Sequence, residues 1–123
     1  MFRVLLSRHL KTEGFTDVAE VSNGREALDL LSARPFDLVL LDIMMPVLDG
    51  YATLERIRSE EKFRDVAVIM VTSEDDVESV ARCIQMGADD YMPKLFNPIL
   101  LDNRIRTAME LHALRRRLRG AGG

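Results

Sequence analysis

Two short apolar runs, each ending on a polar side chain, limit what this chain can fold into. Phe36-Asp37-Leu38-Val39-Leu40-Leu41 stops at Asp42, and Val66-Ala67-Val68-Ile69-Met70-Val71 stops at Thr72-Ser73. Neither run alternates apolar with polar along its core, so neither suits a sheet with one wet face. Strands buried on both faces of a parallel sheet read this way. Such strands need a layer of helix above and below, and the segments around them have the helical period. Residues 51–60 put Leu54 and Ile57 on one side, and residues 74–86 run to Gly87. A long final helix is expected over residues 97–118. Upstream, Leu5, Leu6, His9 and Leu10 share a helical face until Gly14. Asn23 with Glu26 three residues on forms a capping box ahead of Ala27, Leu28, Leu30 and Leu31. Residues 17–22 alternate like a strand with one covered face, and residues 88–92 read as a short strand. Strands alternating with helices of this length mean βαβ units: an α/β fold with a parallel sheet and helices on both faces.

Composition narrows the class. The chain of 123 residues is the size of one domain, and 47% hydrophobic with 30% charged residues is the balance of a soluble protein. The single cysteine, Cys83, excludes an internal disulfide framework and fits a reducing cytoplasm. It sits among Val80, Ala81 and Ile84 and reads as a small core residue. No apolar run approaches the ~18 residues of a membrane span, and Met1-Phe2-Arg3 opens no signal peptide. Charge is uneven: residues 1–93 hold 10 basic and 18 acidic side chains, residues 94–123 hold 7 and 2. Arg115, Arg116, Arg117 and Arg119 supply most of the basic excess, which suits a helix C-terminus. With no aromatics interleaved and an acidic body, nucleic-acid binding is disfavoured. His9 has no cysteine or histidine partner at metal-ligand spacing, and the seven methionines read as packing.

In open α/β sheets functional groups gather beyond the carboxyl ends of the strands. Here those ends carry Asp42, Thr72 and, after Met92-Pro93, Lys94. A carboxylate, a hydroxyl and an ammonium on one rim suit phosphoryl chemistry. Asp42 would be the nucleophile, and Lys94 and Thr72 would hold phosphoryl oxygens. The plainer alternative is an Asp42–Lys94 ion pair that merely caps the sheet.

The segment from Phe36 through Asp42 and on to Asp49-Gly50 resembles the phosphoacceptor signature of response-regulator receiver domains, the CheY-like family. Val71-Thr72-Ser73 and Tyr91-Met92-Pro93-Lys94 resemble the later signatures in order and spacing. The resemblance covers about residues 3–118 and implies a flavodoxin-like sheet, with residues 1–118 as the receiver domain and 119–123 as a flexible tail or linker. It implies that Asp42 accepts a phosphoryl group from a histidine kinase or histidine phosphotransfer protein. Mg²⁺ would be held by the Asp42 carboxylate and the Met44 backbone carbonyl. Lys94 would pair with the phosphoryl group, Thr72 would move towards it, and Tyr91 would turn inward behind Thr72. Asp49 and Gly50 would form the loop beyond the site, and Met44 and Glu74 would flank the phosphate. For Tyr91 the plainer reading is a half-buried strand tyrosine with no switching role.

Two departures bear on these expectations. A receiver begins with an apolar strand ending in an acidic pair, whereas here no acidic residue occurs before Glu13. The expectation is a truncated or mis-started chain with impaired Mg²⁺ binding, whose open sheet edges favour a homodimer or strand-swapped dimer. The second departure is Leu95, where the family usually carries a cis proline. A cis bond before a non-proline residue costs about 2.5–4 kcal/mol, so the loop carrying Lys94 is expected to shift. The leading reading is a phosphorylation-controlled signalling switch, not an enzyme, acting on a partner protein or output domain. The alternative is a degenerate receiver that binds or dimerises without phosphate. A metal-dependent hydrolase would want a second carboxylate where Met44 stands, and no glycine-rich phosphate loop follows any strand.

Overall fold

The computed structural model describes residues 19–33, 36–43, 49–72, 77–93 and 97–122. In chain order it holds α1 (Gly24–Ala33), β1 (Leu38–Asp42), α2 (Gly50–Ser59), a 3₁₀ turn (Glu61–Phe63), β2 (Ala67–Thr72), α3 (Val77–Gln85), β3 (Asp90–Pro93) and α4 (Pro98–Gly122). The strands form a parallel sheet in the order β1-β2-β3. Leu38 opposes Ala67 and Asp42 opposes Val71, while Ile69 opposes Asp90 and Thr72 opposes Pro93.

Every residue of β2 is buried, as its uninterrupted apolar sequence requires. Alternation sends Val68 and Met70 to one side, into a cluster with Leu28, Leu31, Leu54, Ile57 and Cys83. Ala67, Ile69 and Val71 go to the other side, against Leu101, Ile105 and Ala108 of α4. Helices α1, α2 and α3 thus cover one face, and α4 covers the other. Asn23 caps α1 as expected, its Oδ1 accepting from the Glu26 amide at 2.9 Å, whereas Glu26 Oε1 accepts from the Asn23 side-chain Nδ2 at 3.2 Å and not from its backbone as a full capping box would have it. Asn97 caps α4 by accepting from the Leu100 amide at 3.1 Å.

The end of the sheet opposite the strands' carboxyl termini is bolted by charge. The Asp89 carboxylate, its side chain 8% exposed, accepts from the Val68 amide at 2.9 Å and from Arg58 of α2 at 3.0 Å. Arg115 of α4 donates to it through both terminal nitrogens. Burial pushes the Arg58 guanidinium below its ordinary value, whereas the hydrogen bonds it donates to Asp89 push Arg115 up. His112 adds a second fastening for α4. Its Nδ1 lies 2.7 Å from the Asp65 carbonyl and its Nε2 2.8 Å from Asp37 Oδ1.

Two sequence expectations change. Residues 19–22 form no strand, and Asp17 and Val18 lie outside the described residues. Alternation reports one covered face, but a strand also needs a neighbour for its backbone groups, and among the described residues β1 pairs only with β2. The last helix runs to Gly122, whereas a tail was expected from residue 119; no proline interrupts it. The expected first helix, over residues 3–12, lies outside the described residues.

Replacing Asp89 with Asn should leave two guanidiniums without their carboxylate and lower stability by about 3 kcal/mol. Urea unfolding followed by circular dichroism measures this as a lower midpoint with an unchanged slope.

Candidate functional site

The register brings two of the rim residues to adjacent strand ends. Asp42 closes β1 opposite Val71, and Thr72 closes β2 one residue further on. The ladder continues past Asp42, since the Ile43 amide donates to the Val71 carbonyl at 3.1 Å. Asp42 is half-buried, whereas Thr72 is only 4% exposed. A carboxylate at an open strand end beside a nearly buried hydroxyl gives a polar rim on an otherwise apolar sheet.

Tyr91 opposes Met70, so it shares the sheet face of Met70 and Thr72 and lies diagonally from Thr72. Its ring is turned out, 36% exposed, with the Arg104 guanidinium 5.9 Å from the ring centroid. Arg104 is held in turn by Asp90 Oδ2 at 3.1 Å. The expected Met44, Glu74 and Lys94 lie outside the described residues, as does Leu95.

The chain after Asp42 returns to within contact of the same strand end. Asp49 caps α2 by accepting from the Ala52 amide at 2.8 Å. Its carbonyl accepts from the Thr53 hydroxyl at 2.7 Å. The Gly50 amide donates to the Ile43 carbonyl at 2.9 Å. A Cβ on Gly50 would lie 2.5 Å from the Asp42 carbonyl oxygen and 2.6 Å from Ile43 Cα. Glycine is therefore required here for close backbone approach, with the first turn of α2 pressed against the peptide that carries Asp42. The sequence places Asp49 and Gly50 in a turn leading into a helix. It does not show this contact, whose only trace is a glycine directly after a capping aspartate.

Known proteins agree with this geometry. The model of the response regulator receiver domain matches residues 1–106. The chain belongs to that family. Receiver domains are two-component signalling modules that interact with histidine kinases and output domains; they transfer phosphoryl groups but are not enzymes in the usual sense. Two curated relatives named "Probable transcriptional regulator ycf27" are similar over 107 residues. The one from Guillardia theta is 41% identical and the one from Cyanidium caldarium 38%, each match covering 87% of this chain and 41% of the relative. The chain thus spans about two-fifths of the length of those relatives. Among solved structures, CheY4 from Vibrio cholerae superimposes with a TM-score of 0.80 at 27% identity, covering 86% of this chain and 88% of that one. The receiver domain of NtrX from Brucella abortus gives 0.79 at 28% identity with the same coverage. The fold is accordingly the flavodoxin-like receiver fold, of which the described residues form a three-stranded part.

Receiver domains generally bind Mg²⁺. Asp42 fits that ion, offering a hard carboxylate oxygen at an open strand end. Mg²⁺ keeps several waters and takes one or two protein carboxylates. Among the described residues no three His, Cys, Asp or Glu side chains gather as a metal cage.

Gly50→Ala should force the first turn of α2 away from the Asp42 peptide and cost about 1–3 kcal/mol. Thermal unfolding would register it as a lower midpoint, and the Gly50-to-Ile43 hydrogen bond would lose protection from amide exchange.

Proposed function

We propose that this receiver domain accepts a phosphoryl group on Asp42 and switches a partner surface through Thr72 and Tyr91. The observation that carries the reading is that Asp42 and Thr72 close neighbouring strands, Asp42 opposite Val71 and Thr72 one residue further along the fully buried β2. In the transfer, a carboxylate oxygen of Asp42 attacks phosphorus in a histidine kinase's or phosphotransfer protein's phosphohistidine. The P–N bond breaks, a P–O bond forms, and the histidine leaves as imidazole after taking up a proton. Lys94 pairs with the new charge and the Thr72 hydroxyl donates to a phosphoryl oxygen. Tyr91, now outward, turns inward behind Thr72; the two share a sheet face, which makes that rotation sterically direct. The added charge of roughly −1.5 to −2, by analogy with other phosphorylated side chains, biases the loop and the surface beyond it. Met44 and Glu74 flank the phosphate.

Mg²⁺ bound by the Asp42 carboxylate and the Met44 carbonyl would supply neutralising charge. A second reading is a degenerate receiver that works as a phosphorylation-independent interaction or dimerisation module. Half-buried Leu38, Val39 and Leu40 on β1, which pairs on one side among the described residues, suit a homodimer or strand-swapped dimer. Residues 1–118 are assigned to the receiver and the last turn of α4 to a helical connection, in a cytoplasmic protein whose output domain or partner acts on the switched surface. No described helix is long and apolar enough to cross a membrane.

Incubation with acetyl phosphate and Mg²⁺, followed by intact-mass measurement, should add one phosphoryl group to the native chain and none to Asp42→Asn. Thr72→Ala should still be labelled but lose the inward movement of Tyr91, read from its ring proton shifts. A native chain that stays unlabelled under these conditions would establish the degenerate reading instead.

A further inference from the structure

Helix α2 is fastened to the α3 side of the molecule at both ends, by contacts of very different strength. At its far end Arg58 donates to the Gly87 carbonyl and to the Val66 carbonyl, each at 2.8 Å, and to Asp89 at 3.0 Å. Gly87 sits at φ +105°, and a Cβ there would meet Arg58 Cγ at 2.8 Å, so the turn after α3 is packed directly on the arginine stem. This end is partly buried, multiply bonded and fixed. At the end nearest Asp42 the described contacts with α3 are lighter: the exposed Arg82 guanidinium lies 4.0 Å from the centroid of the half-buried Tyr51 ring, and that ring packs on the cluster that holds Cys83. An exposed cation–π contact of this kind is weak enough to be broken and remade.

Tyr51 follows Gly50, whose backbone is pressed on the Asp42 carbonyl and bonded to Ile43. Its ring also packs against the core cluster that contains Cys83. The peptide of Asp42, the first turn of α2 and the middle of α3 are therefore joined in three consecutive contacts, with Arg58 as the pivot. We propose that Arg82 is a positioning residue of the Asp42 site, acting through Tyr51 and Gly50. The stack sets where the first turn of α2 lies behind Asp42, and it carries a displacement of that turn to α3. Its part in signalling rests on Asp42 being the phosphoacceptor; its part in positioning does not. This route runs over the outside of the helical layer, separate from Thr72 and Tyr91 at the strand ends.

Amide hydrogen exchange on the full chain tests the positioning role without phosphate. Arg82→Gln should speed exchange of the Gly50 amide about two- to fivefold, the equivalent of one exposed cation–π contact. Tyr51→Leu should do the same, the double variant should do no more than either, and Tyr51→Phe, which keeps a ring, should stay close to the native rate. The Gly87 and Ala88 amides, bonded to Ile84 and Cys83 at the pivot end, should not change. An unchanged Gly50 rate in both single variants would overturn the proposal, as would equal acceleration at the two ends, which means general destabilisation. With acetyl phosphate added, α3 amide shifts should respond several-fold less in Arg82→Gln than in the native chain. Equal responses in phosphorylated samples would overturn the coupling to α3. If intact mass shows no phosphoryl group on Asp42, the phosphoacceptor reading and the signalling part fall together, while the exchange rates still decide the positioning role.

Discussion

Strand β2 leaves no side chain to solvent, and the rest of the molecule is arranged around that constraint. A strand covered on both faces needs two helical layers, one from α1, α2 and α3 and the other from α4. It can carry polar chemistry only where it ends. Asp42 and Thr72 stand at such ends, so the candidate site follows from how the core is covered. The register of β1 on β2 fixes their separation along the sheet, and a slip of one residue would send every apolar side chain to the wrong face.

The two ends of the sheet are built differently. At the end away from Asp42, Asp89 binds Arg58, Arg115 and a backbone amide, and His112 joins α4 to Asp65 and Asp37. The Asp89 carboxylate and its two guanidiniums resist rearrangement, because removing one partner leaves the others desolvated and unpaired. At the Asp42 end the contacts among the described residues include a capping carboxylate, a backbone hydrogen bond from Gly50 and the half-buried Tyr51 ring against exposed Arg82. Each is weak enough for a local charge change to redistribute. A switch wants this gradient, with a rigid base against which a few inexpensive contacts can be exchanged.

Much of the plan could be read from the residues themselves, where the physics is local. The cap of α1 by Asn23 on the Glu26 amide needs only a spacing of three, and it forms. The ends of the apolar runs place Asp42 and Thr72, although only β2 is covered on both faces as its sequence suggests; Leu38, Val39 and Leu40 of β1 are half-buried. What could not be read depends on partners far apart in the chain. The Arg58–Asp89–Arg115 network joins residues from α2, the approach to β3 and α4. Glycine at position 50 is required by the Asp42 carbonyl eight residues earlier, not by its own backbone angles. Residues 19–22 form no strand for a related reason: alternation shows that one face could be covered, but a strand also needs backbone partners, and the described sheet offers them none.

The central claim, that the end of β1 is where the phosphoryl group arrives, is tested most directly by fixing its position chemically. Treating the acetyl phosphate-labelled protein with borohydride reduces an aspartyl phosphate to homoserine, and peptide mapping then locates it. Homoserine at position 42, lost when Thr72, Lys94 and the rest of the rim are intact but Asp42 is Asn, is the predicted result. Homoserine at another acidic residue in the native chain, or none at all, would contradict the account.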